Sequence, residues 1–291
     1  VIYPDYSLGL NGDHPELKNI WKISLLVLLM GLWDDIRPMS PVTRIIIQVL
    51  ASWIVIISTD LYLKDLGNIF DLGVINLGKF GIPLTIFMVV GVCNAFNMLD
   101  GMDGLVTLVL LIPCSFIAYI SYMQGIEGLV FIGSACLTIF LLFNLGLFGK
   151  KFKMFLGDSG AMWLGFLTAW FLICITQNET KYYFPPMSAV WFVLIPIIDA
   201  ISTFITRAWN KRSMFDGDRS HLHHLLIDSG LEKWKVLVFF IIISAATSSM
   251  ATYFILFSVP EYFQFYGFLT VWFFYHILLK GPSNALNKSS D

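Results

Sequence analysis

Long apolar runs separated by short polar stretches set the pattern of this chain. Nine runs have helical length and composition: residues 20–33, 43–62, 81–98, 104–123, 127–148, 159–177, 187–208, 235–257 and 262–279. About 20 consecutive apolar residues suffice to cross a bilayer as a helix, so the first run is short and the others are adequate. Residues 1–19 are polar and turn-rich and read as a loop. The pattern predicts an all-α polytopic membrane protein of about nine transmembrane helices. They form one domain over residues 1–291, without internal repeats or low-complexity segments.

The stretch 94–104, Asn-Ala-Phe-Asn-Met-Leu-Asp-Gly-Met-Asp-Gly, breaks this pattern where the third run ends and the fourth begins. Polar side chains at such a place are costly unless they face water, an ion or a ligand. Gly101 and Gly104 are expected to let the backbone turn sharply between the spans. A tight turn accounts for some of these residues, since Asn, Asp and Gly favour turns. It does not account for Asn97, one helical turn upstream.

Composition supports the membrane assignment. Hydrophobic residues make up 57% of the 291 positions and charged residues 13%. Soluble domains carry about 25% charged residues, so this chain cannot cover a water-facing surface. The formal net charge of −2 points to no nucleic-acid partner. Cys93, Cys114, Cys136 and Cys174 lie inside apolar runs without metal-ligand spacing and read as small core residues. No cleavable signal peptide is visible at Val1. The abrupt polar opening leads us to expect further sequence upstream.

Alternate spans leave two sets of loops, and basic residues favour the cytoplasmic set. One set holds thirteen of the eighteen Lys and Arg residues, among them Arg37, Arg44, Lys150, Lys151, Lys153, Arg207, Arg212 and Arg219. The other holds only Lys18, Lys22, Lys64, Lys79 and Lys181. The first set is therefore expected to be cytoplasmic, together with the C-terminus. Four polar clusters then fall on one side, within loops near 34–44, 94–104, 149–159 and 207–234. Independent structural turns have no reason to choose one face, whereas a shared site at the membrane surface does.

Each cluster suggests a chemistry. Asp34 and Asp35 end an apolar span, where the helix dipole disfavours negative charge. Adjacent carboxylates raise each other's pKa, so one could act as a base, or the pair could help hold a divalent cation. Asn97, Asp100, Asp103 and Asp158 supply one amide and three carboxylates, a hard oxygen set suited to Mg²⁺ with substrate phosphates. Asp158 could alternatively cap the helix of span six. Arg219, His221, His223 and His224 lie within six positions. Imidazoles suit zinc, but a fixed positive charge beside them and no nearby Cys better match an anionic phosphate.

The segments Asp34-Asp35, NAFNMLDGMDGL (94–105), FLGDSG (155–160), PIIDA (196–200) and DRSHLHHL (218–225) resemble those of the polyprenyl-phosphate N-acetylhexosamine-1-phosphate transferases, the family of WecA, TagO and MraY. The resemblance covers nearly the whole chain in order, and the His-x-His-His form is closer to WecA and TagO. It implies transfer of a sugar 1-phosphate from a UDP-N-acetylhexosamine, GlcNAc by default, to undecaprenyl phosphate, with release of UMP. This would be the first membrane step of cell-envelope polysaccharide synthesis.

Carried over by motif, Asn97 and Asp158 resemble ligands of Mg²⁺, or of Mn²⁺ in its place. Asp34 resembles the carboxylate that deprotonates or positions the lipid phosphate, with Asp35 beside it. Asp100 and Asp103 match polar residues of the cleft, counted with Asp34 and Asp35 as catalytic. Arg219, His221, His223 and His224 look like the loop that grips the nucleotide-sugar. The resemblance also implies a bacterial cytoplasmic membrane, a site on its cytoplasmic face and room for a homodimer. Relatives have ten or eleven spans, the first two joined by a basic, glycine-containing loop, so N-terminal spans are expected to be missing here. Two other classes fit single features: an ion- or proton-coupled transporter using the carboxylates, and a zinc hydrolase using the histidines.

Overall fold

The computed structural model describes residues 15–124, 128–177, 184–211, 213 and 221–288. Among the described residues there is no strand beyond a single antiparallel bridge, Asp65 to Asn76. Eleven α-helices follow one another among the described residues: α1 (Pro15–Ile36), α2 (Pro41–Thr59), α3 (Gly81–Leu99), α4 (Leu105–Gln124), α5 (Gly128–Asn144), α6 (Gly157–Gln177), α7 (Pro186–Phe192), α8 (Leu194–Trp209), α9 (Leu222–Asp228), α10 (Lys233–Leu256) and α11 (Glu261–Lys288).

Four of these, α2, α3, α6 and α10, are long and apolar enough to cross a bilayer, and the bent pair α7–α8 makes a fifth. The other expected spans fall on α1, α4, α5 and α11. The described apolar parts of α4 and α5 are short, Leu105–Ser121 and Val130–Asn144. α1 carries Glu16, Lys18, Lys22, Asp34 and Asp35 within its 22 residues. Large apolar side chains face outward on every side: Leu29 is 61% exposed, Phe87 71%, Ile242 62% and Phe274 60%. In water so much exposed apolar surface would drive association, whereas lipid tails accept it at no cost. The protein is an all-α integral membrane protein.

The seventh run is not one straight span. α7 and α8 meet at an angle of 83°. The break falls at Val193, whose backbone leaves the helical region (φ −117°, ψ 25°). Pro196 explains it. Its ring nitrogen cannot donate to the carbonyl of Phe192 four residues earlier, and the ring would collide with that carbonyl.

Packing is tightest between α1 and α6 and between α3 and α6. A Cβ on Gly31 would lie 2.3 Å from the Cα of Ser159, so the backbones of α1 and α6 touch where Gly31 passes. That approach brings the last turn of α1 against the first turn of α6. At the other end of α6, Gln177 Oε1 accepts from the backbone N–H groups of Lys64 (2.8 Å) and Asp65 (3.4 Å). There, too, Glu261 accepts from Asn68 N–H and Met187 N–H, each at 3.2 Å. The bundle is thus closed at one end by backbone-to-side-chain bonds, and Asp34, Asp35, Arg44 and Asp158 form a charged cluster at the opposite end.

Candidate active site

Four elements converge at that charged end. The sequence ends α1 in Asp34-Asp35, and both lie within the last helical turn. Asp34 turns inward and is buried. Its Oδ1 accepts from the Met39 N–H at 2.6 Å, and its Oδ2 pairs with Arg44 Nη2 at 2.8 Å. Arg44, in the first turns of α2, reaches Asp158 Oδ2 with Nη1 at 3.0 Å. One guanidinium therefore bridges two carboxylates from α1 and α6. Such fork geometry requires Arg and would be lost with Lys.

Asp35 has a different task. Its Oδ1 accepts from the backbone N–H of Asp158 at 3.1 Å, and its Oδ2 accepts from Ser159 Oγ at 2.6 Å. The first N–H groups of a helix have no partner within it, and a carboxylate there also favours the dipole. The cap of α6 is thus Asp35, and Asp158 itself lies inside the first turn with its side chain directed to Arg44. With its main chain held by Asp35, the half-exposed Asp158 carboxylate meets the arginine through Oδ2.

The 94–104 stretch divides its labour. Asn94 points into the bundle, where its Nδ2 donates to Gln48 Oε1 (2.8 Å) and to the Val90 carbonyl (2.7 Å). Asn97, on the next turn, has a buried Oδ1 with no hydrogen-bond partner among the described residues. A buried carbonyl oxygen without a donor is rare and costly, and a cation is one way to satisfy it. Asp100 follows at the C-terminus of α3 and accepts no hydrogen bond from a described residue. Burial pushes its carboxyl up to about 6, helped by the negative charges of Asp158, Asp103 and Asp35. Asp103 pairs with Lys153 Nζ at 2.6 Å. This end of the bundle thus gathers carboxylates that disfavour one another's charge, beside an unsatisfied amide oxygen. Asn97 Oδ1 and the Asp158 carboxylate are oxygen donors of the kind a divalent cation takes.

Glycine does two different jobs here. Gly104 adopts φ +81°, the left-handed turn that starts α4, and its N–H donates to Asn144 Oδ1 at 2.5 Å. Gly101 has no positive φ; it is small because a Cβ there would lie 1.9 Å from His223 Nε2. That contact seats the histidine helix α9 on the 94–104 stretch. His223 is fully buried, stacked on His221 (ring centroids 6.0 Å apart) and tilted against His224 (4.1 Å). His221 donates from Nδ1 to Asp199 Oδ2 at 2.7 Å. The other oxygen of Asp199 accepts from the Leu222 N–H (3.1 Å) and from Tyr275 Oη (2.7 Å). The carboxylate thereby fixes the tautomer of His221 and leaves Nε2 as its working nitrogen. Arg219 lies outside the described residues.

The structure thus joins Asp34, Asp35, Asn97, Asp100, Asp158, His221, His223 and His224 at one end of the bundle, with Asp103 held on Lys153. Three side chains that contact these residues escaped the motif reading. Arg44 and Lys153 counted there only toward charge asymmetry. Asp199 lay inside a quoted motif without a role, although an acid in an apolar run is a signal in its own right.

Residues 19–176 match the model of glycosyl transferase family 4. Several curated relatives share the name undecaprenyl-phosphate alpha-N-acetylglucosaminyl 1-phosphate transferase. The one from Escherichia coli (strain K12) is 32% identical over 262 residues, covering 88% of this chain and 70% of the relative. That from Salmonella typhi is 30% identical over 284 residues, 94% and 76% of the two chains. That from Haemophilus influenzae is 31% identical over 268 residues, 90% and 75%. The matched region carries α1 to α6 and with them the Asp34–Arg44–Asp158 bridge, Asn97 and Asp100, and on this ground the chain belongs to glycosyl transferase family 4.

Proposed function

We propose that this protein transfers an N-acetylhexosamine 1-phosphate, GlcNAc 1-phosphate by its relatives' names, from the UDP-sugar to undecaprenyl phosphate and releases UMP. An oxygen of the lipid phosphate attacks the sugar-bearing phosphorus of the donor. The bond from that phosphorus to the bridging oxygen breaks, UMP leaves with the electron pair, and a lipid-linked diphospho-sugar forms. The observation that carries this reading is the Asp34–Arg44–Asp158 bridge beside Asn97 and Asp100 at one end of a membrane bundle. A water-soluble nucleotide-sugar and a membrane-bound phosphate can meet there. Family membership favours the transferase over an ion-coupled transporter, whose carboxylates are expected nearer mid-membrane.

The residues divide the work by their contacts. Asp35 holds the α6 terminus so that the Asp158 carboxylate stays at the mouth. Buried Asp34 fixes Arg44, whose positive charge lowers the repulsion between two phosphate substrates. Asp100, whose oxygens accept no hydrogen bond from the described residues, is the carboxylate best placed to take the proton of a monoanionic lipid phosphate. His221, held by Asp199, presents Nε2, and with His224 and Arg219 it grips the donor diphosphate, while the fully buried His223 seats the histidine helix on Gly101. A Mg²⁺ or Mn²⁺ ion at Asn97 and Asp158 would neutralise the diphosphate and ease departure of UMP.

The test is incubation of membranes with radiolabelled UDP-sugars and undecaprenyl phosphate. Label entering the lipid phase with stoichiometric UMP supports the reading. Label staying in the aqueous phase with every UDP-N-acetylhexosamine overturns it, and stoichiometric zinc in the purified protein turns attention to a hydrolase. This reading puts the site on the cytoplasmic face of a bacterial cytoplasmic membrane, and the charge asymmetry of the loops supports that face. A reporter fused after Lys153 should then read cytoplasmic and one fused between Gln177 and Phe184 external; identical readings would break the shared face. A homodimer remains part of this reading and is checked by mass in detergent.

The crowding at Asp100 gives a pH prediction. Its folded-state carboxyl titrates at about 6, above the ordinary 3.8. The folded protein therefore binds this proton more tightly than the unfolded chain, and stability falls as pH rises from about 4 to about 6. A divalent cation offsets that loss and competes with the proton. The rise in thermal midpoint on adding Mg²⁺ should be small at pH about 5 and grow to its full size by about pH 7. A Mg²⁺ effect independent of pH across this range would remove Asp100 from the neighbourhood of the cation.

A further inference from the structure

A second polar layer lies one helical turn deeper in the bundle than the site. Gln48 is fully buried in α2, within the membrane-spanning part of the helix. Its Oε1 accepts from Asn94 Nδ2 on α3 at 2.8 Å, and its Nε2 lies 3.5 Å from Met162 Sδ on α6. Met162 is itself tied to α3, because Cys93 Sγ donates to the Met162 carbonyl at 3.0 Å. The side-chain amide of Gln48 therefore meets both α3 and α6.

The sequence offsets give this layer its meaning. Gln48 is four residues after Arg44, Asn94 three before Asn97, and Met162 four after Asp158. Residues three or four apart share a face of a helix, one turn above the other. Each member of the deep layer thus lies directly beneath a member of the site on the same helix. A rotation or slide of α2 against α3 or α6 would break a bond in the deep layer and displace Arg44, Asn97 or Asp158 equally. An apolar residue would pack this position without leaving polar atoms to satisfy. Leu would, however, permit several neighbouring registers, whereas directional hydrogen bonds in lipid permit one.

We infer that Gln48 is a positioning residue: its amide locks α2, α3 and α6 in register and so sets the spacing of Arg44, Asn97 and Asp158. The inference rests on the proposed transferase for its activity readout and on metal binding independently of it. Gln48 touches no substrate and reaches the reaction only through its three helices.

The experiment uses the full chain in detergent, with Gln48→Leu, the single variants Gln48→Asn and Asn94→Gln, and the exchange Gln48→Asn/Asn94→Gln. The exchange keeps both amides and their combined length. Mn²⁺ binding is titrated by electron paramagnetic resonance, transfer is assayed over a range of Mg²⁺ concentration, and thermal midpoints are recorded. Gln48→Leu should weaken Mn²⁺ binding and raise the half-saturating Mg²⁺ concentration about fivefold or more, consistent with the 10–100-fold effects of supporting residues at metal sites. The exchange should recover most of what either single variant loses. Unchanged Mn²⁺ affinity in folded Gln48→Leu overturns the inference, as does an exchange no better than its singles. If wild-type protein transfers nothing yet Gln48→Leu weakens Mn²⁺ binding, the transferase reading fails and the positioning role stands. If transfer is present and Gln48→Leu loses only thermal stability, the reverse holds.

Discussion

Asp158→Asn should reduce turnover about a thousandfold, the upper range for removing one fixed charge-stabilising group from a reacting centre. Asn matches Asp in shape, and Asp35 would still cap α6 through the Asp158 N–H and Ser159 Oγ. The Arg44 guanidinium would keep Asp34 as its partner. The carboxylate is half-exposed, so losing its ion pair should cost under about 1 kcal/mol of stability. The variant should therefore insert and purify normally, with its defect in kcat and in its response to Mg²⁺. Asn97→Ala should behave in the same direction, since it removes the buried Oδ1 that has no partner among the described residues. Steady-state assays at limiting and saturating Mg²⁺ check both, and full activity of either variant at limiting Mg²⁺ takes that residue out of the metal site.

Asp199→Asn is expected to have the next largest effect, about a hundredfold in kcat/KM for the UDP-sugar. An amide in place of a carboxylate imposes the wrong imidazole tautomer, a defect known to cost up to about 10⁴ in related dyads. Asp199 is 2% exposed and accepts three hydrogen bonds, from His221, Leu222 and Tyr275. The Asn Nδ2 would face His221 Nδ1 as a second donor, so the ring would move its proton to Nε2. Tyr275→Phe separates this effect from simple loosening. It removes one hydrogen bond, about 1 kcal/mol, and leaves the tautomer in place. Its activity should stay within severalfold of wild type. His221→Ala and Arg219→Ala should each cost on the order of tenfold to a hundredfold, the value of one charge-assisted contact. In all of these the KM for polyprenyl phosphate should hardly change. A selective loss of acceptor affinity would instead move the histidines to the lipid phosphate.

Much of the fold was legible because a bilayer imposes a simple rule. Each backbone polar group in lipid must be satisfied within its own segment, so apolar runs of sufficient length become helices. That rule located α2, α3, α6 and α10 to within a few residues. It could not see that the run 187–208 is broken, because hydropathy averages over Pro196. Nor did it show α1 continuing through Asp34-Asp35, because a helix end at a membrane surface is set by its partners as much as by its sequence.

The sequence by itself determined the class of chemistry. Asp, Asn, Arg and His types at motif spacing favour phosphate chemistry, and their placement at span ends favours the membrane surface. Only the tertiary structure decided what each residue does. Asp34 and Asp35 are neighbours in sequence, yet one is buried on Arg44 and the other caps α6, because successive helical residues point about 100° apart. Asp199 and His221 are 22 positions apart and meet only because α9 folds back on α8. Asn94 and Asn97 look equivalent in the motif, but Gln48 claims one of them and leaves the other to the site. Such assignments depend on which partner lies across the gap between two helices, and that distance is a property of packing, absent from any linear pattern.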